Sequence, residues 1–230
     1  MSTPAESAST THPKPKPRSQ PNNMTNPENP PYRQIRALYT PQTITIYQAY
    51  PPSIALPALA TQSLSQVPTF KRTRMTWIKP SFLWMAYRSG YATKQNQEHV
   101  LAIEISRQGF EWALSHAVLS HIPGSASTEQ TKTWRKAVEE SCVRVQWDPE
   151  RHLYGNPLGY RSLQVGLRGE AVERFVDEWI VAIKDVTEMM HEIKEKVEVG
   201  DLNEANKLLP VEEVYTLPEG IARGIGMVTD

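Results

Sequence analysis

Residues 74–90 concentrate side chains that could recognise a charged and aromatic ligand. This stretch reads RMTWIKPSFLWMAYRSG, with cations and large rings interleaved throughout. A surface loop does not need so many large side chains, and a plain core helix would not carry several cations among them. Arg, Lys and aromatic side chains together suit a ligand with phosphates and a flat ring, hence a nucleotide. The residues predicted to bind it are Arg74, Trp77, Lys79, Trp84 and Arg88.

Further polar side chains fall within apolar stretches that favour β-strands. Polar groups inside such strands need hydrogen-bond partners, so several that converge at one sheet edge predict a binding cleft. For any one of them, a satisfied structural hydrogen bond is the competing interpretation. The residues in question are Arg36, Tyr47, Gln48, Tyr50, Gln97, Glu104, Gln146, Asp148, Arg151 and Gln164.

The motifs that identify common catalytic and metal centres are absent from the sequence. It contains no GxxxxGK[ST], HExxH or GxSxG pattern, and no GxGxxG following a strand. The six histidines do not cluster at ligand spacing, so we predict no metal site. Cys142 is the only cysteine, which excludes an internal disulfide and a CxxC site. A reducing compartment, cytoplasmic or nuclear, is therefore expected.

Composition narrows the class of protein further. The chain has 230 residues, and its 25 Lys and Arg balance its 25 Asp and Glu. Zero net charge argues against nucleic-acid binding by bulk electrostatics, although a local basic patch stays compatible with it. No apolar run approaches the ~20 residues of a membrane-spanning helix, so we expect a soluble protein.

The periodicities predict an α+β fold, with one compact domain and a mixed or antiparallel sheet of about six strands. Predicted strands cover residues 33–39, 43–50, 75–78, 99–105, 142–147 and 161–167. Predicted helices cover residues 54–64, 80–89 and 110–121. The domain is expected to span residues 32–209. It would follow a disordered Pro/Ser/Thr-rich tail at 1–31 and precede a C-terminal arm at 210–230.

Residues 170–199 carry apolar side chains at alternating steps of four and three, which predicts one long helix. The simplest interpretation is a helix that lies along the sheet. A homodimer through 170–199, formed as a coiled coil, is the alternative.

Several long motifs resemble the signature of a domain-of-unknown-function family found in bacteria and fungi. They are IRALY, IYQAY, RMTWIKPSFLWM, VRVQWDPER and RSLQVGL. The resemblance covers about residues 33–187. It implies little chemistry, because the family is largely uncharacterised.

The order of elements is also similar to that of small ADP-ribosyltransferase-like domains, including RNA 2′-phosphotransferases. That resemblance implies NAD as cofactor, with the segment from Trp77 to Tyr87 as the nicotinamide wall and Arg36 or Arg88 on the pyrophosphate. It implies catalytic roles for Gln48, Gln146 and Asp148, of which Asp148 would stabilise an oxocarbenium-like transition state. Gln48 stands where that fold often has His, and Asp148 stands where Glu is usual.

These observations predict a nucleotide-binding cleft that serves NAD-dependent ADP-ribosyl or related transfer to a nucleic acid or nucleotide. Two alternatives stay open. One is a non-catalytic module that binds single-stranded nucleic acid through residues 71–94. The other is a dimerising scaffold built on the long helix.

Overall fold

A computed structural model describes residues 30–122 and 126–227 of the chain. Of the tail predicted at 1–31, residues 1–29 lie outside the described part. The described residues from Pro31 onwards form one compact unit. The predicted α+β class and single compact domain are confirmed.

The described residues contain nine strands, eight α-helices and one π-helical turn. The strands are β1 (Arg36–Ala37), β2 (Thr43–Tyr50), β3 (Thr76–Ile78), β4 (His99–Ser106), β5 (Ala117–Leu119), β6 (Val143–Arg151), β7 (Pro157–Leu167), β8 (Ile180–Asp185) and β9 (Glu213–Val214). The helices are α1 (Pro52–Thr61), α2 (Phe82–Ser89), α3 (Arg107–Ser115), α4 (Thr128–Glu140), α5 (Glu170–Arg174), α6 (Thr187–Glu198), α7 (Leu202–Leu208) and α8 (Glu219–Gly224). No helix in these ranges is long and apolar enough to cross a membrane.

The strands form two larger sheets and one small pair. One sheet has the antiparallel order β2-β4-β8, and the other has the order β3-β7-β6-β5, in which β5 runs parallel to β6. The two sheets meet where Tyr47 N donates a hydrogen bond of 2.8 Å to the carbonyl oxygen of Lys79. This contact sets the end of β2 beside β3.

Residues predicted as a C-terminal arm complete the core of the described domain. The strand β9 pairs with β1, and Tyr215 and Ile225 are fully buried. The indole nitrogen of Trp147 donates a hydrogen bond of 2.8 Å to the carbonyl oxygen of Ile225. This segment therefore buries apolar surface that β6 would otherwise expose to water.

The prediction of one long helix at 170–199 is wrong. The chain instead forms α5, a π-helical turn at Phe175–Trp179, the edge strand β8 and then α6. Two effects favour a strand at Ile180: its β-branched run IVAI suits a strand, and β4 offers a free edge for pairing. Most of the apolar positions are buried as expected, but four successive elements carry them. The continuous seam that suggested a homodimer is therefore absent from the described residues.

Trp179 fits against α3 because Gly109 has no side chain. A Cβ atom at Gly109 would lie 2.4 Å from Cγ of Trp179, which is closer than non-bonded carbons approach. The glycine thus lets the π-helical turn pack on α3 at the point where β8 begins.

Side chains point alternately to the two sides of β3, β7 and β6, so their sheet has an apolar face and a polar face. Ile78, Val145 and Val165 point into the hydrophobic core and are fully buried. The opposite face carries polar and aromatic side chains, among them Trp77 and Gln164. Helix α2 covers part of this second face, and the candidate site lies beside it.

Candidate functional site

A cleft of about 650 Å³ lies over the polar face of β3 and β7, between the end of β2 and α2. Its cations are Lys71, Arg74 and Arg88, and its aromatic rings are Tyr50, Phe70, Trp77 and Trp84. Its amide side chains are Gln48, Asn96, Gln97 and Gln164. Among the described residues, those that line the cleft include no Asp or Glu. The cleft is therefore positively charged, although the protein as a whole has zero net charge.

Helix α2 forms one wall of the cleft, and its N-terminus is fixed by two side chains. The hydroxyl oxygen of Ser81 accepts a hydrogen bond of 3.1 Å from Trp84 N, which makes Ser81 the N-cap. Glu212 Oε1 accepts a hydrogen bond of 2.7 Å from Phe82 N. The predicted end of this helix at Ser89 is confirmed, and Gly90 follows in the left-handed conformation at φ 60°. These contacts orient Trp84 toward the cleft.

The floor of the cleft is built on a close approach between β3 and β7. Trp77 pairs with Gly166, and a Cβ atom at Gly166 would lie 2.9 Å from Cη2 of the Trp77 indole. The indole therefore lies directly on the glycine backbone, where any other residue would displace it.

The substitution Gly166→Ala should shift the Trp77 indole and lower the free energy of unfolding by about 1 kcal/mol, as overpacking does. Urea unfolding measures this loss. Gly159→Ala is the matched control on the same strand, because a Cβ atom there meets nothing within 4 Å. Equal stability of the two variants would contradict the close packing of Trp77 on Gly166.

Gln48 lies in the wall of the cleft, where its side chain is hydrogen-bonded to neighbouring residues. Its Nε2 donates hydrogen bonds of 2.8 Å to Thr76 Oγ1 and 3.0 Å to the carbonyl oxygen of Trp77. Its Oε1 accepts a hydrogen bond of 2.9 Å from the hydroxyl of Tyr50. Burial raises the pKa of Tyr50 well above its ordinary value, so the phenol stays protonated and continues to donate. Gln48 therefore joins β2 to β3 and positions Trp77.

The three cations of the cleft differ in what they contact. Arg88 Nη1 donates a hydrogen bond of 2.9 Å to Gln97 Oε1. Lys71 and Arg74 are exposed, and no side chain or carbonyl of the described residues pairs with either of them. Two charged groups at the cleft are thus available to an anionic ligand.

Lys79 lies on the side of Trp84 that faces away from the cleft, and it is completely buried. Its ammonium is 3.3 Å from Asp148 Oδ2 and 3.1 Å from the carbonyl oxygen of Ser162. It also lies 4.4 Å from the centre of the Trp84 ring, which is a cation–π contact. Burial lowers the pKa of Lys79 from 10.5 to about 8, against the opposing effect of Asp148. Lys79 thus carries its charge at neutral pH and supports the cleft wall from inside.

Glu212 is half-buried and lies near the buried side chains of Glu150 and Lys79. Burial raises its pKa from 4.5 to about 8, and the negative charge of Glu150 adds to this effect. The hydrogen bond from Phe82 N and the positive charges of Arg36 and Lys79 oppose it. Glu212 is therefore mainly protonated at neutral pH.

The structure brings six of the predicted catalytic and cofactor-binding residues to the cleft, and they are Gln48, Tyr50, Arg74, Trp77, Trp84 and Arg88. Five lie elsewhere. Lys79 and Tyr47 are buried behind the wall, where Tyr47 meets the Phe82 ring edge-on at 5.3 Å. Arg36 Nη2 donates to the carbonyl oxygen of Glu212 at 3.1 Å.

Gln146 and Asp148 line a second, smaller cavity of about 350 Å³, together with Arg33, Trp147 and Arg161. Gln146 Nε2 donates a hydrogen bond of 2.6 Å to Asp148 Oδ1. Asp148 is thus engaged on one oxygen by Gln146 and on the other by Lys79. Within the described ranges, no group of three or more His, Cys, Asp or Glu side chains is arranged to hold a metal ion.

The sequence assigned no catalytic or cofactor-binding role to Phe70, Lys71, Asn96, Gln97 and Gln164, which also line the cleft. Phe70 and Lys71 line the cleft from a loop, and loops leave no periodic signal in a sequence. Gln164 left a signal, because it interrupts the apolar side chains of RSLQVGL at an outward position. Its role depends on β3 pairing beside it, which the local sequence does not reveal.

Together these features define an α+β domain with a cationic, aromatic cleft and a buried lysine–carboxylate cluster behind one wall. The chain belongs to the family described as domain of unknown function DUF4291, whose model matches residues 34–215. The predicted resemblance to an uncharacterised domain family is thereby confirmed. No curated protein matches the chain. Neither comparison adds support to the ADP-ribosyltransferase resemblance, which stays a prediction.

Proposed function

We propose that this domain binds a nucleotide in the cleft between β2, α2 and the β3-β7 floor. The observation that carries the proposal is the composition of the lining, which has three cations, four aromatic rings and no carboxylate among the described residues. Phosphates would pair with Arg74 and Lys71, because both are exposed without a partner among the described residues. The flat ring would pack against Trp77 and Trp84.

The volume of the cleft supports a small ligand in this role. A volume of about 650 Å³ falls within the range of roughly 300–1,000 Å³ that is typical of small-molecule sites. The wall and the floor are already ordered by the Gln48 bonds and by the Ser81 cap. A preformed site avoids part of the entropy cost of ordering side chains on binding.

A thermal-shift panel tests the proposal with NAD, ADP-ribose, ATP, GTP and a short single-stranded oligonucleotide. We expect a nucleotide present at 100 times its dissociation constant to add about 2.7 kcal/mol to stability, seen as a rise in melting temperature of several degrees. Arg74→Ala should weaken binding about tenfold, since a charge-assisted hydrogen bond contributes roughly 1.5–3 kcal/mol.

Arg135→Ala is the matched control, because Arg135 is an exposed cation on α4 that does not line the cleft. Its removal changes net charge by the same amount and should leave binding unchanged. No shift with any mononucleotide would sink the proposal. A shift with the oligonucleotide alone, steeply weakened by salt, would favour the single-stranded nucleic-acid module.

Transfer from NAD to a nucleotide or nucleic acid remains the finer prediction and needs its own test. An oxocarbenium-like transition state needs a carboxylate beside the developing cation. Asp148 is engaged by Lys79 and Gln146, and no described lining residue supplies another carboxylate. The proposal therefore concerns binding. Release of nicotinamide from NAD, lost in Asp148→Asn while the protein stays folded, would extend it to catalysis.

A further inference from the structure

We propose that the second cavity is a binding site for an oxyanion, namely the phosphate or carboxylate group of a small molecule. Its volume of about 350 Å³ lies near the lower end of the range of roughly 300–1,000 Å³ that is typical of small-molecule sites. No described residue lines both this cavity and the cleft assigned to the nucleotide. The second site therefore goes beyond the proposed function and does not rest on it.

Two arginines lie side by side at this cavity, and both line it. Arg33 and Arg161 are partners in an isolated parallel bridge, so their side chains leave the backbone on the same side. Like charges at paired strand positions repel each other, which destabilises the pairing unless an opposite charge lies nearby. The pairing of Arg33 with Arg161 therefore favours a bound anion.

Both guanidinium groups have only uncharged partners among the described residues. Arg33 Nη1 donates a hydrogen bond of 2.7 Å to the carbonyl oxygen of Gly226. Arg161 Nε donates one of 2.6 Å to the hydroxyl oxygen of Tyr32, and its Nη1 donates one of 2.8 Å to the carbonyl oxygen of Trp147. A guanidinium carries more N–H donors than these bonds use, so each arginine keeps donors for a ligand.

Asp148 is the acidic side chain among the described residues that line the cavity, and its charge is already balanced elsewhere. Its Oδ2 lies 3.3 Å from the ammonium of Lys79, and its Oδ1 accepts a hydrogen bond of 2.6 Å from Gln146 Nε2. The two arginines therefore have no counter-charge among the described residues. An oxyanion would supply that charge and accept charge-assisted hydrogen bonds from both guanidinium groups.

A thermal-shift titration of the full chain with inorganic phosphate and with acetate tests the proposal. Each anion replaces chloride at constant ionic strength, and Arg74→Ala is the background, because it removes one of the two cations that would pair with phosphate in the cleft. We expect a saturable rise in melting temperature with at least one of the two anions. The anion that binds more tightly identifies the group that the cavity takes.

Tyr32→Glu and Tyr32→Gln, each added to this background, localise the binding. Tyr32 is 59% exposed, so both variants should fold, and their melting temperatures without added anion establish it. Tyr32→Glu adds a carboxylate beside Arg161 that competes with the added anion, whereas Tyr32→Gln adds a side chain of the same size without charge. We expect the anion to bind about tenfold more weakly to the first variant than to the second.

Arg33→Met should also weaken the anion about tenfold, and Arg33→Lys should weaken it less, because an ammonium keeps the charge but not the planar fork. Arg135→Ala is the control for loss of a cation and should bind the anion as the background does. Two results would overturn the proposal and leave nucleotide binding in the cleft standing. They are no saturable stabilisation by either anion, and equal binding of the anion by Tyr32→Glu and Tyr32→Gln.

Discussion

Replacing Lys79 by Met should lower the free energy of unfolding by about 3 kcal/mol, the scale expected when one partner of a buried ion pair is removed. The substitution keeps most of the volume behind Trp84 but removes the positive charge. Asp148, which is 9% exposed, and Glu150, which is 4% exposed, would then lose the cation whose charge interacts with both. Uncompensated buried charge is the main cost, because little solvent reaches these carboxylates.

The double variant Lys79→Met/Asp148→Asn distinguishes this cause from a packing defect. The introduced asparagine would keep the shape of the site and could still accept from Gln146, while the unpaired charge would be gone. We expect it to recover at least about half of the lost stability, a coupling of roughly 1–3 kcal/mol between residues in contact. Urea unfolding of the four proteins in the cycle measures it.

Lys132→Met serves as the control for loss of a lysine. Lys132 lies on α4 with a side chain that is 70% exposed, and its pairing with Glu129 is a surface contact of 3.9 Å. Such a change should stay within about 0.5 kcal/mol. If the double variant were no more stable than Lys79→Met, the ion pair would not be what stabilises the wall.

The second prediction concerns how stability depends on pH through Glu212. Its pKa is about 8 in the folded protein against an ordinary value of 4.5, so between these two pH values the folded state binds more protons than the unfolded state. Unfolding then releases a proton, and stability falls as pH rises from about 4.5 to 8. The slope approaches 1.4 kcal/mol per pH unit, which amounts to a few kcal/mol across the window.

Glu212→Gln should remove this slope. The glutamine oxygen can still accept from Phe82 N, so the start of α2 keeps its contact, and no proton is released on unfolding. The variant should match the unsubstituted protein near pH 5 and exceed its stability near pH 8. The charged groups that act on Glu212 are Glu150, Arg36 and Lys79.

Titrating groups that do not act on Glu212 cancel when the two proteins are compared at each pH. Glu213→Gln is the neighbouring control, since Glu213 is exposed and should leave the slope unchanged. Parallel stability curves for Glu212→Gln and the unsubstituted protein would contradict a protonated Glu212 at neutral pH.

Much of the fold could be read from local sequence patterns. The stretch TITIYQAY predicts a strand at 43–50, and β2 spans Thr43–Tyr50. The apolar run at 99–105 corresponds to β4, which ends one residue later at Ser106. These patterns succeed because β-branched side chains and period-two alternation act over a few neighbouring residues.

The failure at 170–199 has a physical cause. Spacing by four and three is typical of one helix, but it reports only where buried side chains recur. Trp179, Ile183 and Met190 are all buried, yet they belong to a π-helical turn, a strand and a helix. Pairing with β4 decided the strand, and that pairing joins residues far apart in the chain.

By itself, the sequence of this protein determined the α+β class, the principal strands and the aromatic, cationic character of one stretch. Tertiary structure alone decided which of those side chains share a cleft. It also set Lys79 against Asp148, 69 residues away, and Glu212 against the start of α2, 130 residues away. Local propensity acts between neighbours, whereas the partners of polar groups removed from water are set by the packing of distant elements, because such a group without a partner is costly.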